Sequence, residues 1–183
     1  MKASYQIYSQ DAFLTIGISS LLNSILSMDI SFKEKKLNIL LISNTSLLNM
    51  AHFCHGLDPE KLYFVIGSVA AWRMLNGTGI LKLEGFIDIS KSLNELKYEL
   101  YCMLQGGRVF NAYPIQKEKI ILSPCERFVL RYIASGMPAA LIAKRLGLSV
   151  KTISSQKRSM MKKLCVSSNQ QLVIKAQMAN YLY

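Results

Sequence analysis

The sequence predicts an α/β N-terminal domain built on a parallel sheet, followed by an all-α C-terminal domain of four helices. Short aliphatic runs alternate with longer amphipathic patterns over residues 1–105, as in a parallel sheet covered by helices. Residues 121–183 show helical patterns alone. Between them, residues 106–120 contain glycine, proline and mixed charges, which predicts a linker.

The α/β domain is predicted from four strand-like runs and three helical patterns. The strands are expected at 4–9, 37–43, 61–68 and 85–89. The helices are expected after Asp11, over 46–55 and over 92–104. Asp11 is placed to cap the first helix. Its inward side chains would be Leu14, Ile18, Leu21, Leu22, Ile25 and Leu26.

Start and stop signals divide the C-terminal region into four helices. Ser123 and Glu126 have the spacing of a capping box, with Pro124 at the first helical position. The later boundaries are marked by Gly136, Pro138, Gly147, Ser149 and either Ser168 or Asn169. The second and third helices, joined by a glycine-bearing turn, are predicted to form a helix-turn-helix.

The helical spacing also predicts which side chains of these helices face inward. In the first helix they are Phe128, Val129, Tyr132 and Ile133. In the second helix they are Leu141, Ile142 and Leu146. In the fourth helix they are Leu172, Val173 and Ala176.

Charge is distributed unevenly along the 183 residues, whose net charge is +11. Residues 121–183 hold ten lysines and arginines and one acid, whereas residues 1–120 hold twelve basic and ten acidic residues. A small and strongly basic domain indicates a nucleic acid or an anionic membrane surface as its partner. The apolar run 13–30 is interrupted by serines, which indicates a core helix and no membrane span. A cytoplasmic protein whose cysteines are free thiols is therefore expected.

The stretch SVKTISSQKRSMMKK (149–163) contains five basic residues and no acid. On a helical wheel one stripe holds small hydroxyl groups and cations: Lys151, Ser154, Ser155, Arg158 and Lys162. The other side is apolar: Val150, Ile153, Met160, Met161 and Leu164. Small serines allow a helix to enter a major groove about 12 Å wide, and the cations neutralise phosphate. An ordinary solvated basic helix is the alternative, and the preceding turn and the charge of this domain favour DNA.

These motifs resemble the four-helix DNA-binding domain of the LuxR/NarL/FixJ transcription regulators. The matching residues are Leu122, Ser123, Glu126, Gly136, Ile142, Ala143, Leu146, Ser149, Thr152, Ile153, Lys163 and Leu164. Gln156 replaces the usual histidine. The string KTISSQK (151–157) is similar to the Rcs-type regulators of capsule and motility genes. Sigma-factor region 4 has a related helix-turn-helix, but the segment CVSSNQQLVIKA fits the LuxR-type domain better.

The resemblance implies double-stranded DNA as the partner and a role for each matching residue. Thr152 would contact phosphate, while Ser154, Ser155 and Arg158 would face the groove. Phosphate or rim contacts would come from Lys144, Lys151, Lys157 and Lys162. Members usually bind as dimers through the fourth helix, so a homodimer, or a heterodimer with a related regulator, is expected. No cofactor and no membrane association are expected.

The N-terminal half resembles a phosphoacceptor receiver domain that has lost its site. Receivers hold Mg²⁺ with adjacent acids after the first strand, where this chain has Ser9, Gln10 and a lone Asp11. Asn44 stands at the phosphoacceptor position and Gly67 at the switch threonine position. The position of the receivers' lysine falls near residues 88–90, and none of those three residues is a lysine. A degenerate receiver, controlled without aspartate phosphorylation, is therefore predicted.

Two other classes of function remain open. One is an accessory subunit that pairs with a phosphorylatable regulator, and the other is a small-molecule sensor. Neither a catalytic triad nor a nucleotide-binding fingerprint supports an enzyme. His52, Cys54 and His55 have no companion pair of ligands, so no metal site is predicted.

Overall fold

The computed structural model describes residues 4–28, 36–43, 46–106, 113–116 and 119–182. Its strands are β1 (Ser4–Tyr8), β2 (Lys36–Ile42), β3 (Leu62–Gly67) and β4 (Lys82–Asp88). The helices of the N-terminal half are α1 (Ala12–Met28), α2 (Leu47–His55), α3 (Val69–Leu75) and α4 (Leu93–Leu104). Those of the C-terminal half are α5 (Pro124–Ala134), α6 (Ala139–Leu146), α7 (Val150–Lys163) and α8 (Asn169–Met178).

The four strands form one parallel sheet in the order β1-β2-β3-β4. The register aligns Ile7 with Ile39, Ile39 with Phe64, and Ile66 with Ile87. Successive side chains of a strand point to opposite faces, so these aliphatic runs supply both faces of the sheet. The predicted α/β class with a parallel sheet is confirmed.

Helices cover both faces of this sheet. Ile18 and Leu22 of α1 and Leu100 of α4 share one buried cluster with alternate residues of the strands. On the other face Trp72 of α3 stacks on Phe86 of β4, with ring centroids 4.9 Å apart. The N-terminal half therefore has the three-layer arrangement that its alternating sequence pattern predicts.

Two elements differ from the sequence prediction. Helix α3 was not predicted, because seven residues are too few to establish a helical period; Ser68 begins it by accepting a hydrogen bond from the Ala71 N–H at 3.3 Å. Strand β4 starts at Lys82, three residues before the predicted start at 85. Gly85, which marked the predicted start, lies inside the strand. A Cβ there would lie 2.5 Å from Cε1 of Phe64.

The predicted helix boundaries of the C-terminal half are confirmed. The capping box at Ser123 and Glu126 is complete, and Ser149 and Ser168 cap α7 and α8. Gly136 and Gly147 both adopt positive φ, 76° and 65°, as the predicted helix ends require.

The predicted inward faces of these helices are only partly correct. Ile142, Val129 and Leu172 are buried in a cluster that also holds residues of α7. The prediction that Phe128 and Leu141 face inward is wrong, since these side chains are 55% and 54% exposed. Spacing fixes the direction of an apolar stripe but not how wide a strip the neighbouring helices cover.

The chain divides into two compact units, and the second contains a segment from the middle of the sequence. The first unit is Met1–Trp72 with Leu81–Lys117, and the second is Arg73–Ile80 with Glu118–Tyr183. Within the second unit the buried ammonium group of Lys175 donates to the carbonyl oxygens of Arg73 and Asn76. Burial lowers the pKa of Lys175 to about 8.

None of the helices in the described parts of the chain has the length and apolar character of a membrane span.

Candidate nucleic-acid interface

The turn before α7 positions the start of that helix. Gly147 is left-handed, and the Leu148 N–H donates to the Ala143 carbonyl at 2.9 Å. The Ser149 Oγ accepts from the Thr152 N–H at 3.0 Å and lies 2.8 Å from the Thr152 hydroxyl oxygen. A glycine, a serine cap and a threonine thus fix the angle at which α7 leaves α6.

The inner face of α7 is anchored in the core of the second unit. Ile153, Met160 and Leu164 are buried there, and Met161 packs against the same cluster. Val150 was predicted to face inward, and this prediction is wrong, since its side chain is 48% exposed.

Glu126 connects α5 to α7. Its carboxylate accepts hydrogen bonds from the Ser123 N–H at 2.8 Å, the Ser159 hydroxyl at 3.1 Å and the Lys163 ammonium at 2.8 Å. Burial raises the pKa of Glu126, but the hydrogen bonds from Lys163, Ser123 and Ser159 outweigh it and the net shift is downward. The sequence indicated only the capping role; the bonds to α7 depend on tertiary packing.

The outer face of α7 is basic and rich in hydroxyl groups. Lys151, Ser155, Arg158 and Lys162 are exposed on it, and Lys144 of α6 is exposed as well. The one acid in residues 121–183 is Glu126, which is buried beneath α7 and bonded to Lys163. Nothing in this stretch of sequence therefore opposes the positive charge of the outer face.

Three of the predicted DNA-contacting residues are half-buried: Thr152, Ser154 and Lys157. Thr152 is held by the cap of α7. Ser154 and Lys157 line a pocket of about 480 Å³ that also includes Asn169 and Gln170 at the start of α8. These two side chains therefore lie on the flank of α7 next to α8, a distinction that the helical wheel did not make.

The carboxyl end of the sheet, where a receiver would carry its acids, presents other chemistry here. A cavity of about 10 Å³ is lined by Gln10, Ser43 and apolar side chains, with no carboxylate among its lining residues. Asp11 instead caps α1, accepting from the Leu14 N–H at 2.9 Å. Asn44, the predicted counterpart of the phosphoacceptor, lies outside the described residues.

Gly67, at the predicted switch position, has no room for a side chain. A Cβ built there would lie 2.6 Å from the backbone oxygen of Ile42 on the neighbouring strand. A contact this short forces a backbone to move, which a packed sheet resists. The glycine is therefore required by the packing of β2 against β3.

The described residues contain no group of three His, Cys, Asp or Glu side chains that could hold a metal ion. Burial raises the pKa of Cys54, between the two histidines, to about 12. A thiol with that pKa is protonated at neutral pH in the metal-free protein.

Residues 120–176 match the family described as bacterial regulatory proteins, luxR family. This segment, which comprises α5 to α8 almost completely, is therefore a helix-turn-helix domain of the luxR family. The family resemblance inferred from the sequence motifs is confirmed.

Among curated proteins, the chain is similar to two regulators of Escherichia coli K12. It is 35% identical over 125 residues to the transcriptional regulatory protein RcsB, covering 60% of this chain and 57% of RcsB. It is 31% identical over 102 residues to the transcriptional activator protein BglJ, covering 53% of this chain and 45% of BglJ. The chain thus spans about half the length of the curated relatives it matches.

Solved structures of similar fold include RcsB bound to DNA. One complex of the two-component response regulator RcsB with DNA aligns with a TM-score of 0.62 at 20% identity, over 97% of this chain and 99% of that one. RcsB from Salmonella enterica serovar Typhimurium, bound to promoter rprA, aligns with a TM-score of 0.58 at 22% identity, over 100% of this chain and 98% of that one. These likenesses show the fold, including a receiver-like N-terminal half.

Proposed function

We propose that this chain is a bacterial transcription regulator that binds duplex DNA sequence-specifically through α7. The observation that carries the proposal is the outer face of α7, where Lys151, Ser155, Arg158 and Lys162 are exposed and the one acid of residues 121–183, Glu126, is buried. The luxR-family segment and the regulators to which the chain is similar support it. The organisation proposed is a receiver-like domain (1–105), a linker (106–120) and the DNA-binding domain (121–183), acting in the cytoplasm on the nucleoid.

The geometry suggests how the contacts are divided. Arg158 and Ser155 stand on the exposed middle of α7, where side chains reach base edges in the major groove. Ser154 is half-buried beside them and is proposed to contact the groove wall. Thr152, held in the first turn with its helix N–H groups, is suited to phosphate. Phosphate contacts are also assigned to Lys144, Lys151, Lys157 and Lys162.

Arg158→Ala and Lys162→Ala are expected to weaken DNA binding in different ways. If Arg158 reads a base, its loss costs about 1–3 kcal/mol on the specific site and relaxes sequence preference. Loss of Lys162 weakens all duplexes alike and reduces the slope of affinity against salt by about one. Both are measured by fluorescence anisotropy on specific and scrambled duplexes over a salt series.

The exposed Lys97 of α4 provides the control, since Lys97→Ala removes the same charge from the first unit. It is expected to leave the specificity ratio unchanged. Equal losses of Arg158→Ala and Lys162→Ala on both kinds of duplex would contradict the division of roles.

We further propose that the regulator works without aspartate phosphorylation. Gln10 and Ser43 line the small cavity at the carboxyl end of the sheet, and Asp11 is engaged in capping α1. Mg²⁺ needs oxygen ligands that include carboxylates, and an amide at Asn44 is a poor nucleophile. These features support a receiver-like domain that has lost its chemistry.

Incubation with acetyl phosphate and Mg²⁺ is therefore expected to leave the chain unmodified. Intact mass spectrometry measures the result, with a phosphorylatable response regulator treated in parallel to show that the reagent is active. Addition of one phosphoryl mass that maps to a carboxylate of residues 1–105 would overturn the proposal.

A second candidate function is that of an accessory subunit, which the missing acid site favours because such a chain needs control from elsewhere. In that case the purified chain binds DNA weakly, and a related phosphorylatable regulator raises its affinity for the specific site. Nanomolar specific binding by the chain alone would instead support the first proposal.

A further inference from the structure

Strand β1 is an edge of the sheet. It pairs with β2 over Ser4–Tyr8, and among the described residues no strand lies on its other side. Flavodoxin-like sheets of order 2-1-3-4-5 place another strand outside the first one. Here that side of β1 presents a row of backbone N–H and C=O groups that a further strand would pair.

Three of the devices that usually prevent strand pairing are missing from the described residues of this edge: charge, proline and a bulge. Natural edge strands carry charges, proline or a bulge. The sequence of β1, SYQIY, has no charge and no proline, and its register with β2 is uninterrupted. The opposite edge strand, β4, contrasts with it. Lys82, Glu84 and Asp88 lie on β4, and its register shifts between Tyr63 and Phe64 of β3.

An exposed apolar stripe of α1 adjoins the same edge. Phe13 is 89% exposed and Ile16 is 67% exposed. Ile16 and Asn23 are seven residues apart and lie on one side of the helix. The hydroxyl of Tyr5 on β1 donates to Asn23 Oδ1 at 2.8 Å, which places this side of α1 next to β1. The open side of β1 (Ser4–Tyr8) and the stripe of Phe13 and Ile16 on α1 therefore form one surface, called the β1 edge surface.

We propose that the β1 edge surface pairs with the same surface of a second copy, with the two β1 strands antiparallel about a two-fold axis. A two-fold interface uses one patch on both copies, and an open strand edge is self-complementary in this arrangement. The Phe13 and Ile16 side chains of both copies would then be covered together.

Charge favours a second copy as the occupant. The chain as a whole carries +11, which opposes self-association. Residues 4–28 contain one charged residue, Asp11, and it is bonded to the Leu14 N–H as the cap of α1. The residues of β1 and α1 thus bring no cation of their own to a contact between two copies.

Lysine substitutions on this surface test the interface. Gln6 is exposed in the middle of β1, so Gln6→Lys places like charges on paired strands, and Ile16→Lys does the same on the helix stripe. Sedimentation equilibrium of the full chain without DNA is expected to show a monomer–dimer equilibrium whose Kd rises at least about tenfold in each variant. Leu48→Lys, an equivalent exposed apolar-to-lysine change on α2, is expected to leave the Kd unchanged.

Disulfide trapping tests the strand register independently. In antiparallel pairs, directly opposed Cα atoms lie about 4.5–5.5 Å apart, within disulfide range. Pairing centred on Gln6 predicts that Gln6→Cys forms a covalent dimer on mild oxidation. The exposed Cys125 and Cys165 are replaced by serine in that background.

A chain that stays monomeric up to its solubility limit would overturn this interface. So would a dimer that neither Gln6→Lys nor Ile16→Lys weakens, or that Gln6→Cys fails to trap. The interface deepens the proposed function by assigning a dimer surface to the first unit. Association is measured without DNA, so a failure of the proposed interface leaves the proposed role of α7 intact. In the same way, loss of DNA binding by Arg158→Ala leaves the proposed interface intact.

Discussion

Replacing Glu126 with glutamine is expected to destabilise the second unit by about 2–3 kcal/mol. Glutamine keeps the shape of the side chain. Its amide NH₂ group, however, is a donor, and it would face donors that in the natural chain bond to a carboxylate oxygen. The Ser123 N–H and the Ser159 hydroxyl each lose an ionised acceptor. Lys163 contributes less, because its side chain is 43% exposed and the ion pair is screened by solvent.

The effect of Glu126→Gln depends on pH with a definite sign. Glu126 has a lowered pKa in the folded state, so its carboxylate contributes stability that is fully present above the unfolded pKa of about 4.3 and is lost as pH falls through the folded pKa. The difference in unfolding free energy between the natural chain and the variant should therefore narrow at acid pH. Chemical denaturation of the full chain over a pH series, followed by hydrogen exchange in α5 and α7, measures it.

Ser123→Ala is the matched control for the capping role alone. It removes the hydroxyl that accepts from the Glu126 N–H at 3.2 Å, at a cost of about 0.5–2 kcal/mol, while the bonds from Glu126 to Ser159 and Lys163 remain. Its effect should be almost independent of pH. A difference for Glu126→Gln that stays constant down to acid pH would contradict the carboxylate's part in holding α7.

Gly67→Thr is expected to destabilise the first unit by about 2–4 kcal/mol and to restore no switch, as overpacking of a close-packed site does. The added Cβ would lie 2.6 Å from the Ile42 carbonyl oxygen, which belongs to the backbone of a central strand. Gly67→Ala carries the same Cβ and should cost about 1–3 kcal/mol. Urea unfolding followed by fluorescence of the single tryptophan, Trp72, reports on this unit, since Trp72 is buried against Phe86.

Gly17→Ala controls for the loss of glycine itself. Gly17 lies in α1 with nothing within 4 Å of a built Cβ, so alanine there should stabilise the chain by up to about 1 kcal/mol. Equal stability of Gly67→Ala and the natural chain would show that β2 moves away from β3 more easily than its packing indicates.

Much of the fold could be predicted because its signals are local. Strand β2 is a near-continuous aliphatic run. Ser123, Ser149 and Gly147 mark helix ends through bonds to residues a few positions away. Helix α3 was missed because its seven residues are too few to establish a helical period. Phe128 and Leu141 were misplaced because burial depends on which neighbouring helix covers a side chain.

The candidate site divides in the same way. The outer face of α7 could be predicted because hydroxyl groups and cations recur at helical spacing along one short segment. The bonds from Glu126 to Ser159 and Lys163 span more than thirty residues of sequence, and no local pattern predicts them. The same holds for the contacts of Lys175 with Arg73 and Asn76.

The sequence by itself determined the parallel α/β class, the helix-turn-helix and the basic face of α7, since each follows from periodicity, caps and charge within a few turns of chain. Tertiary structure alone decided that Gly67 has no space for a switch side chain and that Glu126 supports α7 from below. It also left β1 at the edge of the sheet. These features are juxtapositions of distant segments, and their energies come from close packing and burial, which a linear pattern does not encode.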